Sequence, residues 1–403
     1  MSSLKYWIWL SALDGIGPAR ANKLLEHFGT PENIYQARDR DYLDIDGIKP
    51  NDIKKLMVKD LEHANKILAS CAEVGCRILT LQDSDYPDRL RNIYGPPIVL
   101  YIRGNLPHID DLPVVGVVGT RNCTPYGVTT AENVGYKLSQ SGIVVVTGLA
   151  LGVDTAATRG ALRGGTHVIG VIGSGLDIIY PPENKTVYDD VSQFGAVISE
   201  YPPGTPAIKH HFPLRNRIIS GISLGVAVIE APKKSGALIT AARALEQGRD
   251  VFALPGNVDA ITCEGSNALL REGAIPLISA DDIIDEYIEL YPDRINVSSK
   301  TNLKKTTEKK SIDNATKVDY IDKGDHIADN HTDSLEDNLE TLLGELDGDE
   351  KTVAQTIGVQ SLHVDEIISD AGLSAQEVLT ALTMLELDGY VLRDINGKWE
   401  ITA

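Results

Sequence analysis

Between Gly204 and Arg217 the chain reads GTPAIKHHFPLRNR, a stretch broken by glycine and proline that gathers Lys209, His210, His211, Phe212, Arg215 and Arg217. Cations interleaved with an aromatic ring, without the periodicity of a core element, suit a phosphate backbone and a stacked base. Adjacent histidines point in different directions, and no acidic or cysteine partner stands at metal-ligand spacing. Neither a nucleophile nor an activating carboxylate pair accompanies them. His210 and His211 therefore read as hydrogen-bonding or loop-shaping residues, and no metal, cofactor or catalytic residue is expected.

The cluster stands against the charge of the whole. The 403 residues carry 38 Lys and Arg against 57 Asp and Glu, a formal net charge of -19, which repels polyanions and confines any nucleic-acid binding to a local patch. Between residues 201 and 250 the balance reverses, with seven basic residues (the three above, Lys233, Lys234, Arg243 and Arg249) against Glu230, Glu246 and Asp250. The length implies two or three domains, and 42% hydrophobic residues suffice for at least one large core. Cys71, Cys76, Cys123 and Cys263 form no CxxC pair or metal spacing and read as reduced thiols of a cytoplasmic protein. The N-terminus lacks the charged start and cleavage site of a signal peptide, and no apolar run approaches the roughly 20 residues of a membrane span.

The elements that must position the cluster begin at Pro113. Short, β-branched, almost wholly apolar runs recur at 114–118, 143–146, 167–172, 196–199, 225–229, 251–254 and 275–278, as strands buried on both faces do. Helical stretches at 129–139, 155–163 and 237–247 lie between them. This alternation predicts an α/β fold with a doubly wound, Rossmann-like parallel sheet over residues 113–291. Before it, residues 1–70 read as a helical domain in which Leu13-Asp14-Gly15-Ile16-Gly17-Pro18 resembles a helix-hairpin-helix element; such glycines let a helix N-terminus approach phosphates, although caps of a purely structural domain look alike. Residues 71–112 read as a connecting segment. The polar stretch 292–350 reads as a disordered linker, and 351–403 as a winged helix of two helices and a hairpin around Asn396-Gly397.

Ligands of such a sheet bind beyond the carboxyl ends of its strands. The first of these loops, Gly119-Thr120-Arg121, leads into a helix and suits an anion, although it has neither a GxGxxG nor a Walker pattern. Asp154, in the glycine-rich second loop, reads as a helix N-cap. Lys185, after Tyr180-Pro181-Pro182-Glu183-Asn184, suits a phosphate or simply a solvated helix start. The fifth loop, Ala231-Pro232-Lys233-Lys234-Ser235-Gly236, again opens a helix, so the reversed local charge coincides with the ligand-binding edge.

Seven ordered runs, GTRNCTPYG, TGLALGVDTAA, GSGLDIIYPPEN, SEYPPGT, HHFPLRNRIISG, SGALITAARALEQGRDVFALPG and GSNALLREGA, resemble the DprA/Smf DNA-processing proteins over about residues 113–284. The resemblance implies a single-stranded DNA binder with an extended Rossmann core that dimerises, protects incoming DNA during natural transformation and helps load a RecA-type recombinase. On the matching positions Gly119, Thr120 and Arg121 would grip a phosphate, and Lys185 and Lys209 would add charge. Phe212, beside His211, would contact a base. Arg215, Asn216 and Arg217 would shape or line the same pocket, and Ser235 and Gly236 would hold another phosphate. The chain departs from the family at Leu151, where arginine is common, and at Thr120, where serine is usual.

Two other functions compete. A phosphoribohydrolase-like nucleotide-processing enzyme would need a PGGxGTxxE signature, and the fifth loop has no glutamate in its first helical turn. A duplex-reading regulator would need cations on the winged helix, where residues 351–403 carry three basic residues against eight acidic. That module is expected to serve protein interaction or regulation instead.

Overall fold

The computed structural model describes residues 3–296 and, further on, residues 343, 346 and 348–401 other than 359, 388–389 and 394–397. It forms two compact units, Met1–Lys305 and Thr306–Ala403. Most of the stretch expected to be a linker, and the Asn396-Gly397 turn, lie outside the described residues.

The first unit opens with five helices, α1 (Leu4–Ser11), α2 (Pro18–Phe28), α3 (Pro31–Gln36), α4 (Pro50–Leu56) and α5 (Leu61–Val74). The Gly15 turn before α2 adopts φ +76°, open to glycine, and Pro18 occupies the first helical turn where its missing N–H costs nothing. These helices are not a separate body. Trp7, Ile8 and Leu10 of α1 share one continuous core with Val99 and Tyr101 of the sheet.

The sheet has nine strands: β1 (Arg77–Thr80), β2 (Val99–Gly104), β3 (Val114–Val118), β4 (Val144–Thr147), β5 (Val168–Ile172), β6 (Ala196–Ser199), β7 (Gly225–Val228), β8 (Asp250–Ala253) and β9 (Ile275–Pro276). Their order is β1-β2-β6-β5-β4-β3-β7-β8-β9, with β3 to β9 parallel and β1 and β2 antiparallel at one edge. The parallel strands agree with the seven apolar runs to within two residues at each end. Residues 77–104, by contrast, are not a connector: Tyr101 to Gly104 pair with Ser199 to Ala196 and extend the sheet. The sequence direction of the sheet reverses between β3 and β7, so their carboxyl ends diverge into a crevice.

Helices α7 (Pro125–Gln140), α8 (Val153–Gly164) and α9 (Lys185–Phe194) follow β3, β4 and β5, whereas α10 (His211–Ile222), α11 (Gly236–Glu246) and α12 (Glu264–Arg271) follow β6, β7 and β8. A short α6 (Asp88–Arg91) precedes β2 and α13 (Asp281–Tyr287) closes the unit. Among the described residues no helix is long and apolar enough to cross a membrane, and the four cysteines are free.

In the second unit helices Gly348–Ile357, Val364–Ala371 and Ala375–Leu387 pack with an antiparallel sheet of Leu362–His363, Lys398–Ile401 and Val391–Arg393 around Val353, Ile367, Leu382 and Trp399. Among the described residues the winged helix thus has three helices where two were expected, the first of them beginning three residues before the expected boundary.

Helices α7 and α8 approach through glycines. A Cβ on Gly160 would stand 2.0 Å from the carbonyl oxygen of Glu132, and one on Gly135 would stand 2.2 Å from that of Ala157. Alanine is about 1 kcal/mol better than glycine inside a helix, but a backbone carbonyl cannot swing aside. Gly160→Ala should therefore destabilise the first unit by about 1–3 kcal/mol, read as a lower urea midpoint at unchanged slope.

Candidate nucleic-acid interface

The crevice between β3 and β7 opens into a cleft of about 700 Å³. Its floor comes from the loop after β3. Gly119 lies so close to α8 that a Cβ would meet the Val153 side chain at 2.6 Å. The Thr120 amide donates to the Glu230 carbonyl at 2.7 Å, and the Thr120 Oγ1 accepts from the Asn122 amide at 3.3 Å. Glu230, buried at the end of β7, accepts from the Thr124 amide at 2.9 Å and from its hydroxyl at 2.6 Å. The loop is thereby fastened to both strands, which leaves the exposed Arg121 pointing from a fixed base.

The opposite wall is α10, and here the structure corrects the sequence reading. Residues from His211 onward are not a loop but the first turns of a helix. Proline is tolerated in a first turn, so Pro213 does not stop it. Phe212 projects from this turn into the cleft, where its ring lies 5.5 Å from that of Tyr180 and 5.4 Å from the Arg121 guanidinium carbon. Lys209 and Lys234 are exposed on the rim and form no ion pair among the described residues. Ser235 caps α11 by accepting from the Ala237 amide at 3.2 Å, and space beside Gly236 is open.

The structure brings together nine of the twelve residues singled out in the sequence: Gly119, Thr120, Arg121, Lys209, Phe212, Arg215, Asn216, Ser235 and Gly236 all line the cleft. Two of the expected cations, however, turn inward. Arg215 is buried and donates to the carbonyls of Gly148, at 2.8 Å, and Val171; Asn216 accepts from its Nε at 3.2 Å and donates to the Gly236 carbonyl at 3.2 Å. Burial pulls the Arg215 guanidinium down to about 10, against the opposing pull of Asp154. Arg217 points away, with Nη2 2.7 Å from Glu200 Oε1 and the two side chains only 13% and 16% exposed.

His211 and Lys185 also lie outside the cleft lining. The His211 ring stacks on Tyr201 at 3.9 Å and its Nδ1 shares a hydrogen bond with the Gly173 carbonyl at 3.1 Å; burial lowers its basicity. Lys185 pairs with Asp189 one turn along α9. Asp154 is not an N-cap. Its Oδ2 accepts from the amides of Gly148, at 2.9 Å, and Ala150, at 3.3 Å, inside the loop it follows; burial pushes the carboxyl up to about 6, with Arg215 opposing. Leu151 remains exposed where the family commonly carries arginine. Sequence reasoning missed Tyr180 as the partner ring of Phe212 and Glu230 as the brace. The tyrosine beginning the YPPEN turn was its own available signal.

A family model described as DNA recombination-mediator protein A matches residues 77–288, and one described as the DprA winged helix domain matches residues 339–395. The chain belongs to the DprA/Smf family. It is 32% identical over 393 residues to Protein Smf of Synechocystis sp., covering 94% of this chain and 96% of that one. It is 44% identical over 208 residues to DNA processing protein DprA of Streptococcus pneumoniae, covering 52% and 73%. The X-ray structure of DNA processing protein A (DprA) from Streptococcus pneumoniae superposes with a TM-score of 0.62 at 38% identity, covering 70% of this chain and 97% of that one. The match beginning at Arg77 agrees with the antiparallel edge strands belonging to the same sheet.

The inward and outward cations separate by experiment. Replacing Arg215 by methionine orphans two strand-end carbonyls, at about 1–3 kcal/mol each, so Arg215→Met should lower the denaturation midpoint of the first unit markedly. Arg121→Ala should leave it within about 0.5 kcal/mol.

Proposed function

We propose that this protein binds single-stranded DNA in the cleft between β3 and β7 and passes the strand to a RecA-type recombinase during natural transformation, acting in the cytoplasm as a homodimer. The observation that carries the reading is the grouping of Arg121, Phe212 and Tyr180 at the mouth of the sheet, with Lys209 and Lys234 on the rim. Guanidinium and ammonium groups hold phosphates, and two tilted rings offer a face to an unpaired base, which a duplex would keep stacked within itself. The names of the relatives and of the matching family support the same process.

The cleft is read as a binding rather than a catalytic site, because Asp154, which lines it, and Glu230, buried behind its floor, are already hydrogen-bonded. Asp154 holds the Gly148 and Ala150 amides, and Glu230 holds the Thr124 amide and hydroxyl. Dimerisation is supported by exposed apolar side chains near the β8–β9 edge, Val258 at 85%, Ile261 at 71% and Ile278 at 71%, where the last strand is only two residues long.

Fluorescence anisotropy with labelled oligothymidine between about 50 and 200 mM salt tests the reading. Arg121→Ala and Lys209→Ala should each weaken binding and reduce the slope of log affinity against log salt by about 0.7. Phe212→Ala should cost about 1–3 kcal/mol at an unchanged slope. Duplex of equal length should compete poorly. Unchanged titrations for both cation variants would overturn the assignment.

A further inference from the structure

The cleft does not end at its rim. A second depression, of about 640 Å³, runs along the outer face of α11 and shares Lys234, Ser235 and Gly236 with the cleft. At the far end of α11 it shares Arg243 and Glu246 with a third, of about 320 Å³, whose opposite wall is made by Pro18, Ala19 and Tyr94. Joined through these shared residues, the three hollows trace one trough from the strand ends to the glycine turn that opens α2.

The far end of the trough is firmly built. Asn22 of α2 donates from Nδ2 to the carbonyls of Pro18, at 2.8 Å, and Pro96, at 2.9 Å, which fastens the helix to the loop bearing Tyr94. Gly95, at φ +62°, packs so closely that a Cβ would lie 3.3 Å from the Ala19 amide nitrogen. On this fixed support Tyr94 is 86% exposed. A large ring held out of the core beside a glycine-turned helix start has the shape of a stacking platform next to an anion-accepting backbone. Along the way Lys233 and Lys234 are exposed, and among the described residues the Arg243 side chain is engaged only by a surface pair with Glu246, which a phosphate can readily exchange.

We propose that the strand leaving the cleft continues along α11 and stacks a base on Tyr94 against the start of α2, making the N-terminal helical region part of the DNA path. The occupant is the same single strand, because the trough is continuous with the proposed site and its middle section carries cations. The α11 section spans about 16 Å, so a short oligomer confined to the cleft would not reach Tyr94. This inference rests on the reading of the cleft.

Anisotropy on the full-length protein with a labelled thymidine hexamer and a labelled 20-mer separates the two ideas. Tyr94→Ala should weaken the 20-mer at least about fivefold while leaving the hexamer within twofold, and Tyr94→Phe should restore the 20-mer. Arg243→Gln should lower the salt slope for the 20-mer alone. Equal 20-mer affinity in wild type and Tyr94→Ala would overturn the extended path with the cleft intact, as would a change in oligomeric mass on gel filtration without a change in DNA affinity. Arg121→Ala weakening neither oligomer would instead strike the cleft assignment, and the path would fall with it.

Discussion

The guanidinium of Arg215 lies beneath the cleft, donating to the carbonyls of Gly148 and Val171 at the ends of β4 and β5. Gly148 lies one residue past β4 and Val171 is the last but one of β5, and a buried acceptor that loses its donor is costly. Gly148 is part of the same arrangement, since a Cβ there would stand 2.6 Å from Arg215 Nη2. By joining α10 to two strands, these bonds set where that helix begins and therefore where Phe212, three residues earlier, emerges. The half-buried ring at the cleft is placed by a buried charge.

That arrangement also explains what the sequence concealed. The strands from Val114 onward were legible because burial on both faces leaves runs such as Val114 to Val118 without polar interruption. The start of α10 was not legible: HHFPLRNR has no amphipathic period because its polar members, His211, Arg215 and Asn216, are themselves buried and bonded to backbone. The edge strands were missed for a related reason. Val99 to Ile102 are buried, but the antiparallel β1 and β2 have no intervening crossover helix of the kind that marked the other units.

The cationic rim was half legible. A charge count registers Arg215 and Arg217 as freely as Lys209, yet the partner of Arg217 is Glu200, across the loop from β6, and the acid nearest Arg215 in effect is Asp154, on another helix. Such pairings are properties of the fold. The glycine-turned loop Gly119-Thr120-Arg121 was legible because its position after a buried strand and before a helix fixes its direction.

The division between inward arginines and outward lysines follows from their chemistry. A guanidinium is weakly hydrated and presents a planar fork of donors, so it can be buried against carbonyls, as Arg215 is, or against a carboxylate, as Arg217 is; an ammonium is strongly hydrated and stays in water, as Lys209, Lys233 and Lys234 do. Arg121 stands between these cases, exposed but lying over the Phe212 ring, where its charge and its flat face both border the cleft. The remaining carboxylates of this anionic chain are screened over about 8 Å at physiological salt. A phosphate in contact with the rim therefore senses the few cations beside it more strongly than the net charge of -19. Beyond that reach the net negative charge repels a polyanion, which is why the proposed path follows the cationic trough rather than the protein at large.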